Sequence, residues 1–371
     1  MAAELELYRV AMPLSEPWRI AISEETAIET VLLCLHTEWG SLWAETTPHA
    51  LPLYSPDWSA ATFELLCHLG PRLLTAEWTS AAALRRELDQ IRGNPFAKAA
   101  IDQLWWKREA ARRGITLHAA LGATATAAPV GADIGILGDR DELLARVQAA
   151  VDAGYRRVKL KVRPGWDVEE VRCVRDHFPR LTLHVDGNGA YSLHDIDRLR
   201  ALDRCGLAMI EQPLAHDDLV DHATLQRALL TPICLDESIV SLRHLDHALA
   251  LGSCRVVNVK PGRVGGFTPA LAIVERCRES GIGAWIGGML ESAIGAADCV
   301  ALACLAGITY PADIFPSERF YERDLAAPGL RFETRPDVGR VVLAAAEAPA
   351  PDPELLARWT TARRSFALTA A

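Results

Sequence analysis

The chain has 371 residues, half of them apolar, and a formal net charge of −9. That length exceeds one average domain and suits a barrel plus a smaller unit, with a sizeable core. The acidic balance argues against nucleic acid and anionic membranes as partners. The opening MAAELELYRV is acidic and lacks the cationic and apolar regions of a signal peptide. The longest apolar stretch, ADCVALACLAGITY, is too short to span a bilayer. Nine cysteines without a CxxC pair fit reduced, mostly buried thiols. The expectation is a soluble, cytoplasmic protein.

In chain order, residues 4–12 (ELELYRVAM) and 28–36 (IETVLLCLH) read as strands. The polar, Pro-containing LSEPWRIAISEET between them reads as a loop, and SLWAETTP as a short third strand. Helical patterns follow at about 59–69, 80–91 and 95–113, and Gly114 stands where a C′ glycine is expected. These elements define an α+β unit, residues 1–125. From 126 to 322 apolar runs alternate with helical patterns. The strands fall near 128–136, 156–162, 181–186, 207–212, 232–236, 254–260 and 283–288, and TYPADIF is a last short run. The fold class is therefore α/β, a (β/α)8-type barrel in modified form. Residues 323–371 leave the alternation and are expected to fold back on the N-terminal unit.

A charged residue closes five consecutive runs: Lys161, Asp186, Glu211, Asp236 and Lys260, at gaps of 25, 25, 25 and 24. Strand C-termini are where barrel enzymes carry their chemistry. Three carboxylates facing one another repel unless a positive charge sits among them. A hard divalent cation, Mg²⁺ or Mn²⁺, resolves that repulsion. The competing reading is that DGN and DES are helix caps. Lys159 and Lys161 lie two apart on a strand and share a face. Each ammonium lowers the other's pKa, moving one toward a free amine that can act as a base. Lys260 lies across the barrel, so a small-molecule carboxylate would sit between two lysines, ready to lose its α-proton. In IGGMLESAIG, Gly287 and Gly288 offer close backbone approach to a ligand or simply turn the chain, Met289 beside them is taken to meet substrate, and Glu291 and Ser292 begin a helix whose amides suit an anion. Arg263 in PGRVGG reads either as a ligand contact or as a partner of the acids.

The runs KLKV, VDGNGAY, IEQPL, CLDES, NVKPGRVGG and GGMLES resemble the enolase superfamily, in its muconate-lactonizing branch. They look most like o-succinylbenzoate synthases, in the subgroup that includes N-succinylamino-acid (N-acylamino-acid) racemases. A lysine base with Mg²⁺ stabilising an enediolate is the known pattern of that superfamily. The resemblance implies metal ligands at Asp186, Glu211 and Asp236, acid/base lysines at Lys161 and Lys260, and a tuning lysine at Lys159. It puts a polar residue beside the first ligand at Asn188. It also implies a capping domain built from the N-terminal unit and the tail, with loops near 15–25 and 47–57 over the substrate. Trp18, in the first loop, is taken to touch substrate.

No histidine base stands at AWIGGMLE, which argues against a mandelate-racemase-like enzyme, and ADIFPS has only Asp313 where dipeptide epimerases carry a pair. The resemblance implies a synthase, with racemisation as alternative or second activity; a muconate cycloisomerase and a silent binding barrel are lesser alternatives. The first capping loop, Ala293 and Gly187 depart from the family's usual pattern. A homo-oligomer is compatible with the chain.

Overall fold

The computed structural model describes residues 4–19, 24–75, 78–345 and 348–367. An antiparallel sheet has the order Thr360–Ala367, Glu4–Arg19, Glu24–Thr37, Gly40–Thr46. Both of its faces are covered, which explains the unbroken apolar run in the second strand. Leu5, Leu7, Val31 and Leu33 pack under helices Ser59–Thr75, Ala81–Leu88 and Pro95–Arg113. The alternate residues Tyr8, Val10, Met12 and Leu32 pack with Ile294, Phe320 and Leu325. Gly114, at φ 63°, closes the helix Pro95–Arg113. LSEPWR, expected as a loop, is strand: pairing resumes at Trp18 opposite Glu25 after a register shift between Pro13 and Trp18. Cross-strand pairing outweighs the local turn signal of its proline. Residues 20–23 of the expected first loop lie outside the described residues.

Seven parallel strands follow, each hydrogen-bonded to the next in the chain: Ala132–Ile134, Arg157–Lys161, Thr182–Asp186, Ile210–Glu211, Ile233–Leu235, Val256–Val259 and Gly283–Ile286. They are called here the first to seventh barrel strands. The eighth run forms only the isolated bridges Gly287↔Asp313 and Val130↔Ala312, which carry the ring from the seventh strand back toward the first. Each of the seven strands is followed by helix, the short Pro261–Val264 preceding Phe267–Glu279 after the sixth and Ala293–Ala303 following the seventh, whereas the eighth run leads only into the 3-10 turn Ser317–Arg319. The barrel is thus of (β/α)7β form. Pro311 lies within the eighth run and Pro316 follows it, and lacking N–H groups they limit its ladder.

The tail divides. Phe332–Arg335 and Gly339–Leu343 form a small antiparallel sheet with Ala127–Pro129, and Thr360–Ala367 joins the first sheet. The N-terminal unit is pinned to the barrel by buried polar contacts. Lys107 pairs with Asp298 at 2.7 Å, and Asp102 accepts the Thr268 amide at 2.9 Å. No helix among the described residues is long and apolar enough to cross a membrane.

Candidate active site

Alternation along the second barrel strand sends Arg157, Lys159 and Lys161 to one face, all buried. The Lys159 ammonium is 3.5 Å from Asp133, Asp186 and Glu211 and contacts Asp313. It also lies 5.5 Å from the Trp285 ring centroid. Lys161 donates to Asp186 at 2.7 Å and to Asn188 Oδ1 at 3.1 Å. Beyond the fifth and sixth strands, Lys260 is 3.0 Å from Asp236 Oδ2 and donates to the Tyr54 hydroxyl at 2.8 Å. Tyr54 in turn donates to Asp236 at 2.9 Å. The structure brings all five residues of the 25-residue beat to the C-terminal mouth of the barrel.

The expected mutual depression of the two neighbouring lysines is outweighed. Burial pushes Lys159 down, but Asp133, Asp313, Glu211 and Asp186 together hold it well above its ordinary value. Lys161 is likewise raised, because Asp186 outweighs burial and the neighbouring ammonium. Four acids around Lys159 outweigh the repulsion between the two neighbouring ammonium groups. Glu211 is driven well up by burial and by Asp186, against Lys159. Asp236 goes the other way, since Arg263 and Lys260 overcome its burial.

Asp186, Glu211 and Asp236 do not gather one oxygen each within 4.8 Å of one another; Lys159 contacts two of them instead. Even so, Glu211 Oε2 is buried without a hydrogen bond. Asp236 Oδ1 has none either, although Arg263 Nη2 lies 2.6 Å away in poor alignment. Buried, under-satisfied carboxylate oxygens on consecutive strands fit a hard oxygen-seeking ion such as Mg²⁺.

A pocket of about 70 Å³ opens above these groups, lined by Lys159, Lys161, Lys260, Asn188, Gly288, Met289 and Trp18. Three residues expected at the ligand do not line it. Arg263 is buried beneath, holding Asp236, the Tyr54 hydroxyl and the Asn258 carbonyl. Glu291 turns under Gly288 to accept the Met289 amide at 2.7 Å, and burial pushes its carboxyl up to about 7. Ser292 is wholly buried as an N-cap, and its hydroxyl donates to Glu45 at 2.5 Å. Its amide and that of Gly295 also go to Glu45, so this helix start already has its anion.

Tyr54, Asn258 and Asp313 were missed. Asn258 donates to Glu211 Oε1 at 2.7 Å, and its position two before Lys260 on a strand was a usable signal. Asp313 holds Arg157 at 2.6 Å and also Lys159; it lies in the eighth run, where it bridges to Gly287. Tyr54 sits in LPLYSP, where nothing local marks it.

The family model for enolase C-terminal domain-like proteins matches residues 142–337. The chain belongs to the enolase superfamily. It is 41% identical to an N-succinylamino acid racemase of Amycolatopsis over 97% of each chain. It is 42% identical to an o-succinylbenzoate synthase of Geobacillus kaustophilus, over 88% of this chain and 89% of the relative. A superfamily member from Listeria innocua of known structure superposes with a TM-score of 0.93 at 34% identity, covering 99% of both chains. The acids and lysines described above therefore sit in a superfamily barrel that is joined to a separate antiparallel sheet.

Proposed function

We propose that this chain is a Mg²⁺-dependent o-succinylbenzoate synthase of menaquinone biosynthesis, dehydrating a cyclohexadiene carboxylate, and that the same site racemises N-succinylamino acids. Both reactions begin with loss of a proton α to a carboxylate. One observation carries the reading: Lys161 and Lys260 line a single pocket, each pinned to a different buried carboxylate. Relatives near 40% identity bear both names, which supports a dual activity.

Lys161, in its free-amine form, would take the α-proton on one face. For racemisation Lys260 returns a proton to the opposite face. For dehydration the Lys260 ammonium faces the developing negative charge, while the β C–O bond breaks and the hydroxyl leaves as water with a proton from a lysine. Lys159, among four acids, would set the local field. Asp186, Glu211 and Asp236 would hold Mg²⁺, which when bound offsets the charge gathering on the substrate carboxylate. Trp18, Asn188, Gly288 and Met289 would meet the substrate. Residues 1–125 with the returning end of the tail would act as the capping unit over the barrel 126–322. The setting proposed is cytoplasmic, with a homo-oligomer compatible.

The test is to assay both reactions with purified protein and Mg²⁺. Dehydration slower than racemisation by orders of magnitude would overturn the synthase assignment. Lys161→Ala should lower both rates by about 10²–10⁴-fold. Retention of either would remove Lys161 as the base.

A further inference from the structure

The cap sheet carries a second cluster of metal-ligating side chains, separate from the barrel mouth. Glu6 on the first strand is in register with Cys34 on the second, and His36 follows two positions later on the same face. His36 Nε2 lies 3.0 Å from Glu6 Oε2 and 3.7 Å from Cys34 Sγ. The three donor atoms all fall within 4.8 Å of one another, the only such trio among the described residues.

The outer contacts aim these donors inward. Ser41 Oγ on the third strand meets His36 Nδ1 at 2.9 Å, which leaves Nε2 turned toward Glu6 and Cys34. Arg363 on the last strand holds Glu6 through Oε1, which leaves Oε2 on the inner side. Such partners orient ligands in metal sites and fix the histidine tautomer. Cys34 is fully buried and Glu6 nearly so, while the His36 side chain keeps 37% of its exposure and gives a route in.

We propose that Cys34 Sγ, His36 Nε2 and Glu6 Oε2 form a site for a thiophilic divalent cation of the zinc class. One sulfur, one imidazole nitrogen and one carboxylate oxygen make a mixed set that Zn²⁺ accepts, with a fourth position left to water. Mg²⁺ and Ca²⁺ are disfavoured by the sulfur. Binding breaks the Cys34 S–H bond, forms a sulfur–metal bond and releases the proton to solvent. Because the ligand is the thiolate, affinity rises with pH. Since the ligands and their outer partners come from all four strands, the cation would staple the cap sheet. The barrel chemistry does not use it.

The experiment is a Co²⁺ titration of the chelator-stripped full chain in excess Mg²⁺, watching for thiolate-to-cobalt charge transfer. Oxygen-only acids at the barrel mouth produce no such band. The wild-type band should saturate at one equivalent, vanish in Cys34→Ser and persist in Cys254→Ser. His36→Ala, at a partly exposed position, should weaken binding by at least about tenfold, and it decides the question if Cys34→Ser does not fold. Zn²⁺ should raise the melting temperature of the wild type and leave that of His36→Ala unmoved. Absence of the band, or its survival in Cys34→Ser, would overturn the proposal.

Discussion

Ser292→Ala separates two roles for the turn after the seventh barrel strand. The hydroxyl donates to Glu45 Oε2 at 2.5 Å and accepts the Ile294 amide at 3.3 Å. Loss of an N-cap acceptor costs about 1 kcal/mol. Loss of a donor to a buried carboxylate costs about 1.5–3 kcal/mol. Glu45 keeps the amides of Ser292 and Gly295, at 3.1 and 2.9 Å, so it is not stripped of partners. Because the two losses share one site, they add incompletely, and about 2–3 kcal/mol is expected. Burial already holds the Glu45 carboxyl above its ordinary value against the Ser292 hydroxyl, and removing that donor raises it further. Urea unfolding followed by circular dichroism measures the loss, and steady-state kinetics on the same preparation measures KM. Because Ser292 does not line the pocket, KM should stay within about twofold. An unchanged unfolding curve with a tenfold rise in KM would refute the reasoning and put the hydroxyl on the substrate.

Two further outcomes follow from other buried contacts. Burial raises the Asp102 carboxyl from its ordinary 3.8 to about 6, so the folded chain holds that proton more tightly than the unfolded one. Stability from this group is therefore greatest below the ordinary value and falls as pH rises through about 6, by about 3 kcal/mol in all. Asp102→Asn keeps an oxygen for the Thr268 amide and cannot ionise. Its unfolding free energy relative to the parent should grow by about that amount between roughly pH 4 and pH 8; a pH-independent difference would exclude the cause. A Cβ at Gly287 would meet Asn258 Oδ1 at 2.4 Å and Nδ2 at 2.8 Å. Gly287→Ala must displace Asn258 from Glu211, and calorimetry should record Mg²⁺ affinity about 10–100-fold weaker. Undiminished affinity would separate Asn258 from the metal site.

The barrel was legible because its information is local. Apolar runs and intervening helices repeat at a fixed length, so Lys161, Asp186, Glu211, Asp236 and Lys260 were found from spacing alone. The strand Glu4–Arg19 was cut short in the reading because Pro13 and the polar SEP look like a turn. Pairing with Glu24–Thr37 overrides that, and pairing is not encoded in one segment. The lysine electrostatics failed for the same reason, since two of the four acids around Lys159, Asp133 and Asp313, come from the first strand and the eighth run.

Sequence alone thus determined the fold class, the order of the barrel strands and the residue types at the mouth. Each follows from periodicity, which a backbone of fixed rise and alternating faces imposes on the chain. Only the tertiary structure decided which groups those residues touch. Tyr54 reaches Asp236 across 182 positions, and Glu45 reaches Ser292 across 247. Contacts of that separation leave no period in the sequence. They arise when the N-terminal unit packs on the barrel and buried polar atoms must find partners or lose stability.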